Sequence, residues 1–303
     1  LQGRAAQRRG DLETADQRFE TAALLRPSHA PLQLEAALWF WEAPDPRYRA
    51  TGIVCLRRAL EQSPEFLDEA LDLYWTPDDP VEPWIPALTS PPAAARFAAF
   101  LSRTGRWREA TDAFERTVPA DPRHAAAWDQ FAQGLKDAGQ WGLEAQVRER
   151  RLAVKSDAQA HLLAARAWIR LEAWDDAHRN ARIASRIDPG LLDAHLILAD
   201  ALEGRGDALD AVEALTAALR SKPDDAVLKL RRAALFERQK MYIPAIEDYE
   251  EVVKAEPANR DGVLGLARSL LGAGRKESAR GVIQGWLGEH PLDAEALQIR
   301  SGL

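Results

Sequence analysis

Prolines at a fixed spacing are the feature that most constrains the fold of this 303-residue chain. Four of them follow one another at intervals of 34 residues: Pro189, Pro223, Pro257 and Pro291. Small residues keep the same interval in two series: Ala199, Ala233 and Ala267, then Ala211, Ala245 and Ala279. A period of about 20 to 50 residues indicates stacked copies of one supersecondary unit. The spacing therefore predicts a repeat protein.

Each repeat has the pattern of two helices. Residues 196–223 and 230–257 are the clearest copies, with an amphipathic helix, a short turn and a second helix that ends near the proline. Gly206 and Gly274 are predicted to end first helices, because glycine adopts the left-handed conformation without a Cβ clash. Proline blocks continuation of the second helix because it lacks the backbone N–H.

The period, the paired small residues, a bulky residue four positions after the second alanine and the terminal proline resemble the tetratricopeptide repeat. The resemblance covers most of the chain. It implies an all-α fold, a right-handed superhelical solenoid of antiparallel helix pairs, with about eight repeats of which the third is degenerate.

The spacing is less regular in the N-terminal part, which predicts four segments. Residues 1–64 hold the first repeats, one truncated and one with about three extra residues between its helices. Residues 65–90 form a degenerate, acidic, proline-rich repeat, residues 91–293 hold five to six regular repeats, and residues 294–303 begin another. Because both ends fall within repeats, we expect a piece of a longer protein that could self-associate through its truncated repeats.

The degenerate repeat is rich in proline. Residues 76–92 contain six prolines in seventeen positions, which is too many for a long helix. Trp84 and Ile85 favour a segment that packs against the protein, since a free linker seldom carries such residues. The alternative is a hinge between two solenoid blocks.

Composition excludes several classes of protein. The net charge of −7 disfavours nucleic-acid binding, which needs a basic surface. Cys55 is the only cysteine, so no intrachain disulfide can form. The longest apolar run, residues 36–41, is far shorter than the roughly 20 residues of a membrane helix, so no membrane insertion by this chain is expected. Both the cytoplasm and the periplasm remain compatible compartments.

Acidic residues concentrate between positions 61 and 95, where no lysine or arginine occurs. They are Glu61, Glu65, Asp68, Glu69, Asp72, Asp78, Asp79 and Glu82. One interpretation is a solvated edge that keeps an irregular segment soluble. The other is a docking patch for a basic partner.

No catalytic motif is present in the sequence. It lacks a glycine-rich phosphate loop, a nucleophile elbow, paired cysteines and the HExxH pattern. His161 and His195 occupy equivalent places in successive first helices, but no cysteine or carboxylate joins them at ligand spacing. We therefore expect no enzyme activity, cofactor or metal in this chain, although a longer protein could carry a catalytic membrane domain.

The resemblance implies a concave groove that is lined by first helices and holds a peptide. The matching places carry a leucine row, Leu162, Leu196, Leu230 and Leu264, and beside it Arg166, Arg170, Asp200 and Arg268. An exposed apolar strip of this kind marks an interaction site, whereas tight curvature would bury the leucines as core. The family's clamp for a peptide carboxylate is absent, because its asparagine places hold Ala99, Gln133, Arg166, Asp200, Ala234 and Arg268.

Ten tryptophans occur in the chain, and packing between repeats is their default role. Four of them lie near the irregular region and could instead offer a stacking surface for a sugar or a partner aromatic: Trp39, Trp41, Trp75 and Trp84.

The sequence thus predicts a non-catalytic scaffold that binds a protein or peptide in its concave groove. A second hypothesis comes from residues 64–114, where EALDLYW precedes the proline-rich repeat. This segment is similar to the repeat regions of bacterial envelope polysaccharide polymerases and O-antigen ligases. That resemblance implies an extracytoplasmic accessory domain of a membrane-bound enzyme or export complex.

Overall fold

The computed structural model describes residues 12–42, 47–75 and 80–303. Within these ranges the chain forms α-helices and short 3-10 turns and contains no strand. The predicted all-α arrangement of consecutive helix pairs is confirmed. The chain divides into two compact parts, an N-terminal unit, Leu1–Ser156, and a C-terminal unit, Asp157–Leu303.

The N-terminal unit contains eight described α-helices. They are α1 (Leu12–Leu25), α2 (Ala30–Glu42), α3 (Arg47–Gln62), α4 (Phe66–Tyr74), α5 (Pro91–Arg103), α6 (Trp107–Thr117), α7 (Ala125–Asp137) and α8 (Trp141–Val154). The 3-10 turns are Ile85–Ala87 and Pro122–His124. The extra residues predicted between α2 and α3 include positions 43–46, which lie outside the described residues.

The C-terminal unit contains four helix pairs and one further helix. The first helices of the pairs are α9 (Ala158–Arg170), α11 (Leu192–Arg205), α13 (Ala226–Arg238) and α15 (Arg260–Gly272). The second helices are α10 (Trp174–Ile187), α12 (Ala208–Ser221), α14 (Tyr242–Ala255) and α16 (Lys276–Glu289). The final helix, α17 (Ala294–Ser301), begins the next first helix.

Side-chain caps fix where several first helices begin. The Asp157 carboxylate accepts a hydrogen bond from the backbone N–H of Ala160 at 2.8 Å, and Asp225 accepts one from Leu228 at 3.1 Å. Asn259 caps α15 in the same way. These caps satisfy N–H groups that have no partner within the helix, so the polar residue before each helix sets its first turn.

The turn inside each pair needs one residue in the left-handed conformation. Gly206 and Gly274 have φ values of 87° and 78°, which confirms their predicted place after the first helices. The equivalent places at Glu172 and Lys240 also have positive φ, 55° and 57°. This conformation costs a residue with a Cβ roughly 1–2 kcal/mol. The repeat geometry is therefore strong enough to impose the turn on residues that do not favour it.

The small residues of the repeat lie where the two helices of a pair touch. Ala199, Ala233 and Ala267 are each 0% exposed, and so are their counterparts in the second helices, Ala211, Ala245 and Ala279. A larger side chain at these places would push the helices apart, because protein interiors are close-packed. The 34-residue period of these alanines thus corresponds to the repeated contact between the two helices of a pair.

Aromatic rings at the start of two second helices lie on glycines of the next first helix. A Cβ added at Gly204 would approach the Trp174 ring to 2.3 Å, and a Cβ added at Gly272 would approach the Tyr242 ring to 2.3 Å. Each glycine follows its aromatic residue by 30 positions. Glycine is required here because any side chain would overlap the ring.

The degenerate repeat is closed by an aromatic cluster. Trp84 is 3% exposed, and its ring centroid lies 4.7 Å from that of Trp41, 5.8 Å from that of Trp75 and 6.2 Å from that of Phe97. Where a second helix would follow α4, the described chain has only the 3-10 turn Ile85–Ala87. The described part of this segment therefore packs against the protein through Trp84, whereas residues 76–79 lie outside the described residues.

A buried ion pair replaces an apolar contact in α8. Arg148 stands where the repeat usually has a bulky apolar residue, and its Nε donates to the Glu144 carboxylate at 2.7 Å. The two side chains are only 5% and 0% exposed. The Arg148 guanidinium pairs with a carboxylate one helical turn away, and α8 is a continuous helix over Trp141–Val154.

Candidate protein-interaction surfaces

Ion pairs join successive first helices of the C-terminal unit. Arg166 of α9 lies 2.6 Å from the Asp193 carboxylate of α11. Arg231 of α13 reaches back to α11, where its Nη2 lies 2.5 Å from both Asp200 and Glu203. These contacts cross from one repeat to the next, so they fix the spacing of the first helices.

Arg268 of α15 continues the series in both directions. Its guanidinium contacts Glu237 of α13 at 2.8 Å and Glu295 of α17 at 2.6 Å. The Tyr249 hydroxyl also donates to Glu237, at 3.1 Å. Burial, reinforced by that carboxylate, raises the pKa of Tyr249 well above its ordinary value, so the phenol remains a donor. Arg166 and Arg268 were predicted as groove residues, and each is already paired with a carboxylate.

The leucine row divides in two. Leu162 and Leu264 are each 1% exposed, because they pack against the following first helix: Leu162 clusters with Ala194 and Leu264 with Ala296. Leu196 and Leu230 are only partly buried against the cores beside them. Of the four leucines, a partner could therefore reach only the middle two.

Two further groove residues, Asp200 and Arg170, were predicted from the sequence. Asp200 is half-buried in its contact with Arg231, and Arg170 is half-buried at the end of α9. Val227, which the sequence analysis did not select, is 71% exposed at the start of α13. Its exposure depends on what faces it in the neighbouring repeat, which the local sequence does not show.

The acidic residues of the degenerate repeat have mixed surroundings. Asp68 pairs with Arg96 at 2.5 Å, and Glu61 accepts a hydrogen bond from the Thr89 hydroxyl at 3.1 Å. Glu65, Glu69, Asp72 and Glu82 are exposed. Asp78 and Asp79 lie outside the described residues.

The tryptophans near the degenerate repeat serve mainly as packing. Trp41, Trp75 and Trp84 belong to the aromatic cluster, and Trp39 stacks on Phe19 with 5.3 Å between ring centroids. Arg106 lies over the outer face of Trp75, 5.1 Å from its centroid. Intramolecular partners therefore occupy these rings, as their default role predicts.

The two histidines considered as a metal pair have separate hydrogen-bond partners. His161 Nδ1 donates to the Asn180 side-chain oxygen at 2.8 Å, and His195 Nε2 donates to the Pro189 carbonyl at 3.0 Å. Among the described residues, no group of three or more histidine, cysteine, aspartate or glutamate side chains is arranged to hold a metal ion. Over the same residues, no helix is both long and apolar enough to cross a membrane.

The sequence analysis missed a pocket between α5 and α7 in the N-terminal unit. We call it the alanine pocket; it has a volume of about 460 Å³. Its lining consists of Ala95, Ala99, Ser102, Trp107, Ala127, Gln130, Phe131, Gln133, Gly134, Leu135 and Asp137. One signal was available in the sequence: Ala95 stands three residues before the small residue Ala98, the place that leucine holds in the row.

Comparison with known families identifies the repeats. Two models described as tetratricopeptide repeat match residues 198–242 and 238–303. Tetratricopeptide repeats bind other proteins, and the helix pairs that precede residue 198 have the same construction. Residues 198–303 therefore carry tetratricopeptide repeats, as the sequence pattern predicts. A search of curated protein sequences found no match.

Solved structures resemble this chain at low sequence identity, and MamA supports the same fold over part of it. MamA is 15% identical, with a TM-score of 0.50 over 58% of this chain and 92% of MamA. PilF of Pseudomonas aeruginosa is 16% identical, with a TM-score of 0.46 over 70% of this chain and 97% of PilF. YrrB, described as a tetratricopeptide-repeat protein with an unusual peptide-binding site, is 13% identical, with a TM-score of 0.44 over 66% of this chain and 97% of YrrB.

Proposed function

We propose that this chain is a non-catalytic scaffold whose C-terminal unit binds a partner polypeptide along the first helices α11 and α13. The observation that supports this most directly is the apolar surface of Leu196, Leu230 and the 71% exposed Val227. Apolar side chains that are grouped and partly exposed on a soluble protein mark interaction sites. The repeat family supports the class of function, and the exposure of these residues supports this surface as the proposed site.

The charges beside the leucines favour a partner with basic residues. Asp200 and Glu203 share the single guanidinium of Arg231, which leaves an excess of one negative charge in that group. Glu237 and Glu295 both contact Arg268, and Arg260 also contacts Glu295 and Asp293, so three carboxylates there share two guanidinium groups. A peptide that places an apolar residue on Leu196 and Leu230 with lysine or arginine beside it would complement both properties.

The test compares proteins captured by the chain and by variants. We expect the double variant Leu196→Asp, Leu230→Asp to lose its specific partners, because a buried contact would then hold an unpaired charge. Leu209→Asp is the matched control, since Leu209 is 56% exposed on the second helix α12. Partners must be retained by the control and lost by the double variant, with both variants folded by circular dichroism. Equal capture by all three proteins would contradict the proposed surface.

The acidic segment of the N-terminal unit is a second proposed docking surface, for a basic partner. Glu65, Glu69 and Asp72 are exposed on one helix, α4, and Glu82 follows it. Steering by exposed charges weakens with salt, because the Debye length falls to about 8 Å at physiological ionic strength. The variant Glu65→Lys, Glu69→Lys should therefore slow association with a basic partner at low salt. An unchanged association rate would leave these residues as a solvated edge.

The hypothesis of an envelope polysaccharide polymerase or O-antigen ligase receives no support from the comparisons. None of the matched family models and none of the three similar structures described above concerns such an enzyme. A catalytic domain elsewhere in a longer protein is likewise unsupported. Both remain predictions from residues 64–114 alone, and long apolar segments flanking the chain would be their first evidence.

A further inference from the structure

The alanine pocket exists because one repeat lacks a side chain that others provide. Leu162 and Leu264 each stand three residues before the small residue of their first helix, and each packs against the following first helix. In α5 the same place is Ala95. The space between α5 and α7 that a leucine would occupy is therefore open.

The size and lining of the pocket define what could fill it. Ala95, Ala99, Ala127 and Gly134 supply small groups, while Trp107 and Phe131 supply rings. An engineered protein cavity of about 150 Å³ holds one benzene molecule. At about 460 Å³ the pocket has room for an aromatic or branched side chain together with part of its backbone.

Polar groups among the lining residues favour a polypeptide over a lipid chain. Ser102, Gln130 and Gln133 offer hydroxyl and amide groups that can pair with a peptide backbone. Asp137 is the ionisable residue of the lining, and its Oδ1 accepts a hydrogen bond from Gln133 Nε2 at 2.7 Å. The negative charge of Asp137 complements a basic residue next to the apolar one.

We propose that the alanine pocket accepts a bulky apolar side chain of a partner polypeptide, with a lysine or arginine beside it at Asp137. The partner thereby supplies the side chain that Ala95 lacks. This inference rests on the proposed scaffold function, but it concerns the N-terminal unit and residues outside the leucine row.

The experiment uses the full chain and short capped peptides of glycine and serine that carry one Phe–Lys pair. Binding is followed by NMR of ¹³C-labelled alanine methyl groups. We expect the resonances of Ala95, Ala99 and Ala127 to shift. Ala95→Leu should leave the chain folded and weaken binding by about tenfold or more, because the new side chain occupies the site.

A second filling variant and matched controls keep the proposal falsifiable. Ala99→Leu, at an exposed residue of the pocket, should weaken binding in the same way even if Ala95→Leu fails to fold. Ala255→Leu, at an exposed alanine of the second helix α14, should leave binding unchanged. Peptides with Phe replaced by Ala, or Lys replaced by Glu, should bind more weakly than the parent.

Several results would overturn the proposal: methyl shifts that spare the pocket, full binding by both filling variants, or equal binding of the Lys and Glu peptides. Shifts induced equally by phosphatidylcholine vesicles would assign the pocket to lipid instead. If the double variant Leu196→Asp, Leu230→Asp kept its partners, that result would count against the surface on α11 and α13 only. The two proposals therefore fail separately.

Discussion

The two units join their repeats by different means. In the C-terminal unit, first helices are connected by ion pairs such as Arg231 with Asp200, and leucines such as Leu162 fill the space between them. In the N-terminal unit, Arg96 of α5 also pairs with Asp68 of α4, but Ala95 leaves the space between α5 and α7 open, and the aromatic cluster around Trp84 closes the degenerate repeat. Repeats built from the same helix pair are thus joined by contacts along several first helices in one unit and by a single aromatic cluster at the degenerate repeat of the other.

This difference changes how stability is distributed. Each partly exposed ion pair contributes only about 0–1 kcal/mol, so no single pair of the C-terminal unit is decisive. A buried tryptophan that touches several rings contributes more. Because a solenoid repeat contacts mainly its neighbours, damage should remain local to the unit in which it occurs. The N-terminal unit should therefore be the more sensitive to single substitutions.

The largest expected effect comes from Trp84→Ala. Removing this 3% exposed ring should lower the unfolding free energy of the N-terminal unit by roughly 3–5 kcal/mol, through lost burial and the cavity that remains. Urea unfolding followed by hydrogen exchange would locate the loss. Trp141→Ala is the control, since Trp141 is 48% exposed and should cost far less. Equal losses for the two variants would show that burial of the Trp84 ring in the aromatic cluster is not what stabilises the N-terminal unit.

The buried ion pair of α8 should respond differently to single and double substitution. Glu144→Leu leaves the buried guanidinium of Arg148 without this carboxylate and should cost about 3 kcal/mol. The double variant Glu144→Leu, Arg148→Leu should recover most of that loss, because apolar residues fill the same space without desolvated charge. A double variant as unstable as the single one would show that the pair is required. Denaturation midpoints measure both.

Two glycine-to-alanine substitutions in the C-terminal unit should change its stability in opposite directions. Gly204→Ala should destabilise the unit by about 1–3 kcal/mol, because the new Cβ would lie 2.3 Å from the Trp174 ring. Gly285→Ala in α16 has no neighbouring atom within 4 Å and should stabilise the unit by about 0.5–1 kcal/mol. Thermal unfolding would separate them. Stabilisation by both substitutions would show that the ring moves aside freely.

The smallest expected effect is on the stability of the fold at acidic pH. Hydrogen bonds from Arg260 and Trp286 hold the pKa of Asp293 well below its ordinary value. A carboxyl whose pKa is lower in the folded state stabilises the fold above its unfolded pKa of about 3.9, and this contribution is lost as the pH falls further. Asp293→Asn should therefore flatten the pH dependence of stability below about pH 4. Asp261→Asn, at a side chain that is 83% exposed, is the control for the loss of one negative charge.

The sequence predicted the features that repeat. Ala199 has an alanine counterpart 34 residues away and Gly206 a glycine counterpart 68 residues away, so periodicity alone indicates their roles in a helix contact and in a turn. The packing of Trp84 was also predictable, because a large aromatic residue in a proline-rich segment favours burial. These predictions depend on properties of each residue and of its own repeat.

The candidate sites depend on what the neighbouring repeat presents, and the sequence predicted them less well. Arg166 and Arg268 have carboxylate partners 27 to 31 residues away, and no local pattern selects those partners. Leu162 and Leu196 hold equivalent positions, yet only Leu162 is fully buried. The alanine pocket lies where Ala95 replaces the leucine of other repeats. This difference is visible only when the repeats are aligned with one another.

The contacts between aromatic rings and glycines limit how this array can gain or lose repeats. Trp174 lies on Gly204 and Tyr242 on Gly272, whereas the intervening repeat has Ala208 and Arg238 at the corresponding places. Deleting residues 190–223 would bring Trp174 opposite Arg238, where the ring and the long side chain would compete for one space. Deleting residues 190–257 would bring it opposite Gly272 and keep the contact. A shortening that removes Gly204 should therefore keep the contact of the Trp174 ring with glycine only when both repeats are deleted together.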